Sequence, residues 1–380
     1  MADRSAPRRT NSGEVMIVHI SHTYGTRGTG GADAAATRRH LEMRSAGIDS
    51  RFVCAAADTG ETPDDSVMLL PEGRMHRCIY RLLAWRLVRY AMRLFGLPMD
   101  ANLGIVPIGI GHVLRKLNPE RVYLHYLGGE ILRYEELLAI KCPVVVVLHD
   151  LSMLSGRRSV VFPGITYGDW LDRWLFRRKK RILGKLDVSF EAPSEWAAKV
   201  CRDSEVGKGR DVIVRRGNVD KVFAEAVVCS RNRDGVFRIL FGCRNGRSNP
   251  AKGFADLAAA IALLPDGMKQ HCELLVFGES ADGCDTNGVR TMFLGEINDP
   301  GRLAEVYRSC DVLALPSISE TQGLVKDEAL ACGLKVVTFN RTACPEGIVH
   351  MRNGYIATDV ADFAEGLKWA KGRKCEVLPF

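Results

Sequence analysis

Two carboxylates, Glu320 and Glu328, stand eight residues apart within residues 315–339, LPSISETQGLVKDEALACGLKVVTF. Between them lies Gly323, and Leu324 and Val325 open a helical pattern. The first turn of a helix presents N–H groups at the positive end of its dipole, which makes it a seat for a diphosphate. Residues 322–325 would supply those donors, and Gly323 would let the backbone approach a ligand closely. Glu320 is placed to accept from sugar hydroxyls, and Glu328 from both hydroxyls of a ribose. The plainer account of the same pair is a capped helix with two solvated glutamates.

Two cations extend the set. Arg247 and Lys252 are five residues apart in CRNGRSNPAKGF, a polar loop that follows the apolar run 236–242. Fixed cations beside a helix start can neutralise a departing diphosphate without a metal. Solvated side chains on a polar loop are the ordinary alternative.

Histidines stand at two strand ends: His125 in VYLHY, residues 122–126, and His149-Asp150 after PVVVVL, residues 143–148. Open α/β sheets hold ligand groups at the carboxyl edges of their strands. His149 equally suits a loop histidine capping a helix. A glycine loop with Gly25, Gly28, Gly30 and Gly31 follows the predicted strand 15–20 and leads into an alanine-rich helix, which Asp33 could cap. The loop lacks G-x-G-x-x-G and a P-loop lysine, which disfavours dinucleotide or ATP binding.

The elements that must position these groups alternate. Apolar runs at 15–20, 51–55, 122–126, 143–148, 188–192, 236–242, 274–278, 291–295, 311–315 and 335–339 read as strands, separated by helical patterns. That alternation predicts parallel sheets, and 380 residues suit two domains. The expected division is a polar tail at 1–14, a doubly wound N-terminal domain at 15–217 and a linker at 218–234. A second Rossmann-like domain at 235–359 follows, and a C-terminal helix and tail at 360–380 is a candidate to cross back to the first domain.

Charge and cysteines set the surroundings. The net charge of +8 is concentrated in a few blocks, and twelve cysteines are scattered singly without C-x-x-C or metal spacing. These read as reduced core thiols of a cytosolic protein. The polar N-terminus has no apolar signal core, and no apolar run is long enough to span a bilayer. Residues 74–95, RMHRCIYRLLAWRLVRYAMRLF, place Arg86, Arg89 and Arg93 on one helical face, with leucines, Trp85, Val88 and Phe95 over a broad remainder. Such a helix packs on a sheet or docks peripherally on the anionic inner face of the plasma membrane. The block 173–185, RWLFRRKKRILGK, could extend that surface. No nucleic-acid motif accompanies the charge, so no nucleic-acid partner is expected.

The motif PSxxE, seven residues, then EALACG and an apolar strand resembles the E-x7-E signature of retaining nucleotide-sugar glycosyltransferases of family 4, which have the GT-B fold. Pro345-Glu346 and Asn353-Gly354-Tyr355 continue the likeness, and residues 246–253 resemble the family's GRxxxxKG phosphate motif. The sequence departs from the family at Lys335, where proline is usual, and at Thr342, Ala343 and Cys344, where glycines precede Pro-Glu. The resemblance implies two Rossmann-like domains facing a cleft, and transfer of a sugar with retained configuration from a nucleotide-diphosphate donor to a glycan or lipid-linked acceptor. Bacterial polysaccharide assembly is the implied setting.

Under that resemblance Gly30, Gly31, Arg247, Lys252, Gly323, Leu324, Val325 and Glu328 bind the donor, while Glu320 and His149 handle the reacting sugar. His125 and Asp150 are acceptor-side candidates. Neither a cofactor nor a metal is expected, and no Asp-x-Asp pair occurs. The rival readings are a GT-B epimerase, a phosphorylase (for which no pyridoxal-phosphate lysine is identifiable) and a non-catalytic membrane-docked scaffold.

Overall fold

The structure, a computed structural model, describes residues 15–26, 31–58, 63–80, 82, 86, 88–94, 103–128, 132–156, 170–224, 235–242 and 249–371. The chain divides into two compact units, Met1–Arg215 and Arg216–Phe380.

The first unit holds β1 (Ile17–Ile20), β2 (Thr23–Tyr24), β3 (Ser50–Cys54), β4 (Ala56–Ala57), β5 (Val67–Leu69), β6 (Arg121–Leu124), β7 (Val144–Val147), β8 (Val188–Ala192) and β9 (Val212–Val214). Seven of these form a parallel sheet in the order β5-β3-β1-β6-β7-β8-β9, and β2 pairs with β4 apart from it. The chain builds outward from β1 in one direction and then in the other. The carboxyl ends of β1 and β6 are therefore a topological switch point, where such sheets open a crevice.

The second unit repeats the plan with β10 (Phe237–Gly242), β11 (Cys272–Phe277), β12 (Cys284–Thr286), β13 (Val289–Phe293), β14 (Val312–Leu315), β15 (Lys335–Phe339) and β16 (Gly354–Ala357). Their order is β12-β13-β11-β10-β14-β15-β16, parallel except for the β12–β13 edge pair. Here the switch point lies between β10 and β14, the strands that lead into the Lys252 and Glu320 loops.

Alternation along a strand sends neighbouring side chains to opposite faces. In β10, Phe237, Ile239 and Phe241 enter one apolar cluster, while Leu240 enters the other. Both faces are thus covered, as a parallel sheet requires. Each fully buried leucine or phenylalanine contributes roughly 1.5–3 kcal/mol.

Several sequence expectations shift. Val219, Val222 and Phe223, at the start of the expected linker, pack on the second unit's core, and residues 225–234 lie outside the described residues. The helix Val360–Ala370, a candidate to cross back, packs within its own unit: Phe363, Ala364, Leu367 and Ala370 are buried against β14, β15, β16 and the helix Phe254–Ala262. The single helix expected at 74–95 is helical at Arg74–Tyr80 and Arg89–Leu94, with π-type turns at Leu82, Arg86 and Val88. Among the described cysteines, six are buried as expected, but Cys78 and Cys284 are exposed.

Candidate functional site

The second unit's site is assembled by two loops that touch. Pro250–Lys252 form one tight turn, begun by Asn249, whose Oδ1 accepts from Ala251 N at 3.0 Å. Gly253 follows in the left-handed region at φ 71°, and a Cβ there would stand 2.1 Å from the Pro316 carbonyl oxygen. Only glycine allows this approach. The contact is sealed by Ile318 N donating to Ala251 O at 2.9 Å.

This contact brings Lys252 to Glu320. Lys252 Nζ lies 2.7 Å from Glu320 Oε1, which also accepts from Ser317 Oγ at 2.9 Å. Glu320 N donates to Thr342 Oγ1 at 3.0 Å. Glu320 is therefore braced from three loops, following β10, β14 and β15. Its side chain keeps 13% exposure and that of Lys252 27%, so both reach solvent.

The helix expected at 322–332 begins later, at Leu324, and runs to Ala331. Gly323 caps it at φ 81°, and the first bond within it runs from Lys326 N to Gly323 O at 2.9 Å. The amides of Leu324 and Val325 precede that bond, so they present the positive end of the helix. Glu328 lies further along, where its Oε2 accepts from Tyr307 Oη at 2.9 Å. Burial, and then Glu328 beside it, push the Tyr307 phenol well above its usual range, so the tyrosine remains a donor.

The sequence reading did not find what holds this helix. Lys326 is buried and donates to the carbonyls of Glu346 and Ala343. Gln322 bridges Asp327 at 2.9 Å and both backbone groups of Gly217. Neither Lys326 nor Gln322 carries a sequence signal, because a lysine or glutamine in a helix start is usually solvated.

The departures from the family pattern acquire physical accounts. Lys335 is buried, and its Nζ donates to Ala370 O at the end of the helix Val360–Ala370. Thr342 occupies the left-handed region at φ 50°, which a β-branched residue adopts under strain. Its hydroxyl is the group that holds the Glu320 amide. Asn353 is buried and spans Val349 N and Gly347 O, so it acts as a turn clamp.

In the first unit His149 and His125 meet, together with His19 of β1, which the sequence reading missed. His125 Nδ1 lies 3.0 Å from His149 Nε2, and His125 Nε2 lies 2.9 Å from His19 Nδ1. Parallel pairing of β1 with β6 and of β6 with β7 stacks the three rings about one strand spacing apart, with centroids 5.2 and 5.3 Å apart. Burial lowers the basicity of all three, and Arg39 lowers it further. For His149 the pKa falls to about 4.

Asp150 Oδ1 accepts from the backbone and hydroxyl of Ser152, at 2.9 and 2.6 Å. Asp33 is no helix cap: its Oδ1 accepts from Ser21 Oγ at 2.6 Å and Thr23 N at 3.0 Å, tying down the turn after β1. Gly31 opens the helix Gly31–Ser45, with nothing within 4 Å of where a Cβ would stand. Gly30 and Arg247 lie outside the described residues.

In the helix Trp170–Leu183, Arg173, Arg177, Lys180 and Arg181 are exposed, while Arg178 and Lys179 are buried and turn away from that charged surface. Arg178 pairs with Glu135 and donates to Leu103 O and Gly104 O, while Lys179 donates to Ser152 O, Ser155 O and Gly156 O. Near 74–94, Met75, Ile79, Leu82, Tyr90 and Leu94 are exposed, as are Arg86 and Arg93. Trp85 and Phe95 lie outside the described residues. No helix among the described residues is long and apolar enough to cross a membrane.

Residues 237–370 match the family described as Glycosyl transferases group 1. A D-inositol 3-phosphate glycosyltransferase from Segniliparus rotundus is 34% identical over 122 residues, spanning 29% of this chain and only 27% of that protein. Sucrose-phosphate synthase from Thermosynechococcus elongatus superposes with a TM-score of 0.64 at 17% identity, covering 94% of this chain and 92% of the other. Anabaena HepE in complex with UDP-glucose gives 0.61 at 16% identity, covering 93% and 89%. Likeness of this kind shows the fold, which is α/β of the GT-B type with two Rossmann-like sheets.

Proposed function

We propose that this chain transfers a sugar from a nucleotide-diphosphate donor to an acceptor hydroxyl with retention of anomeric configuration. The observation that carries the reading is the Lys252–Glu320 pair beside the amino end of the helix Leu324–Ala331. A fixed cation and helix amides are the groups a leaving diphosphate needs, and they require no reorganisation as its charge develops. Glu328, held by Tyr307, takes the ribose hydroxyls. Glu320 and His149 are assigned to the sugar, and Arg247, Gly30 and Gly31 to the phosphates. The group 1 match over 237–370 and the UDP-glucose held by HepE support a nucleotide-sugar donor.

In the proposed reaction the anomeric carbon–phosphate oxygen bond breaks as the acceptor oxygen bonds to the same face. The departing phosphate oxygen takes the acceptor proton, so no dedicated carboxylate base is required. Charge is neutralised by this chain's own cations, without a metal. The acceptor is a glycan or lipid-linked glycan of bacterial polysaccharide assembly. The apolar and arginine-bearing surface near 74–94 suits peripheral contact with an anionic membrane from the cytoplasmic side.

The test is incubation of the purified protein with a panel of nucleotide sugars, first by thermal shift and then by product analysis. A raised melting temperature with one nucleotide class, and a product of the donor's anomeric configuration by NMR, are expected. No stabilisation by any nucleotide sugar would favour a scaffold, and an inverted product would overturn retention.

A further inference from the structure

The three histidines of the first sheet end on a sulfur. His19 Nε2 lies 3.3 Å from Met43 Sδ, on the helix Gly31–Ser45, while its Nδ1 faces His125. A thioether can accept a hydrogen bond but has no hydrogen to donate. Each neutral imidazole donates through one nitrogen and accepts through the other. The row His19–His125–His149 can therefore run in two directions, and the sulfur distinguishes them. In one, His19 Nε2 donates to Met43. In the other, two lone pairs face each other at 3.3 Å.

We infer that Met43, His19 and His125 are positioning residues that fix His149 in its Nε2–H tautomer, with Nδ1 as an acceptor. His19 Nε2–H donates to Met43 Sδ, so His19 Nδ1 accepts from His125 Nε2–H. His125 Nδ1 then accepts from His149 Nε2–H, and Nδ1 of His149 carries the lone pair. A partner reaching that nitrogen has to donate: a sugar hydroxyl fits, a carboxylate or phosphate oxygen does not. The groups around the row keep it neutral. Arg39 lies 4.1 Å above the Tyr123 ring, which stacks on His19 at 5.1 Å, and Arg39 is itself paired with Glu191. His40 lies edge-on to His19 with centroids 6.0 Å apart.

The assignment of a sugar hydroxyl as the partner rests on the transferase reading, but the tautomer does not. The test is nitrogen-15 NMR of histidine-labelled full-length protein near neutral pH. The expected spectrum has a protonated-type Nε2 and an unprotonated-type Nδ1 for His149, assigned by comparison with His149→Gln. In Met43→Leu, which preserves volume, the signal is expected to become a mixture of tautomers while the fold is unchanged. A wild-type His149 protonated at Nδ1, or an unaltered tautomer in Met43→Leu, would overturn the inference. A protein with the expected tautomer but no transfer would contradict the transferase reading alone.

Discussion

Lys252 Nζ and Glu320 Oε1 lie 2.7 Å apart although 68 residues separate them, because Gly253 lets its loop press against the Pro316 carbonyl. Both side chains keep some contact with solvent, so the pair's Coulomb energy contributes modestly to stability, about 1 kcal/mol. On the proposed reading it fixes a cation where a phosphate would rest. Lys252→Met is expected to lower kcat/KM by about 10²- to 10³-fold, while the unfolding midpoint barely moves. Steady-state kinetics beside urea denaturation checks this, and a loss of activity matched by unfolding would refute it.

Tyr307 tests the ribose assignment of Glu328. Tyr307→Phe removes the donor that orients this carboxylate and leaves the ring packed. The expected result is a raised KM for the donor with kcat little changed, and a stability loss of roughly 1–3 kcal/mol for a hydrogen bond to a charged group.

The buried histidines make the first unit acid-sensitive. His40, fully buried between Ser50 and Ser66, is lowered to about 4 by burial and then by Arg44, and His149 is lowered to about 4 by burial and then by Arg39. An unfolded chain protonates these groups near 6.5, while the folded one resists until about 4. Stability is therefore complete above about pH 6.5 and is lost as pH falls toward 4. For His40 alone the difference is on the order of 3 kcal/mol. Urea midpoints measured from pH 7 to 4.5 should fall, and His40→Gln should flatten the curve. A flat wild-type profile would contradict this.

Arg178 is a structural cation. It holds Glu135 at a pKa of about 2, chiefly through their hydrogen bond, and it satisfies two backbone carbonyls. Because Glu135 is depressed, its contribution is present above about pH 4.5 and fades as pH falls toward 2. Arg178→Met is expected to destabilise by about 3 kcal/mol at neutral pH through orphaned acceptors, and thermal unfolding measures it.

Much of the fold was legible because parallel strands buried on both faces are continuous apolar runs: the predicted strands 188–192 and 335–339 coincide with β8 and β15. The Lys252 and Glu320 positions were legible from glycine spacing and a recognised motif. Less legible were contacts between distant loops. Nothing local marks Thr342 as the acceptor for the Glu320 amide, or His19 as the inner member of a row closed by Met43. The basic block at 173–185 was legible in part: Arg173, Arg177, Lys180, Arg181 and Lys185 are exposed, and two of its cations are not. Charge patterning assumes solvent, whereas Arg178 and Lys179 reach inward to backbone carbonyls that need donors.

The most direct measurement of the central claim is calorimetric titration of a nucleotide-diphosphate sugar into the wild type, Lys252→Met and Glu328→Ala. The account predicts saturable binding by the wild type, a loss of at least about tenfold in each variant, and weaker binding of the 2′-deoxyribose analogue only where Glu328 is present. Equal affinity in all three proteins would contradict it.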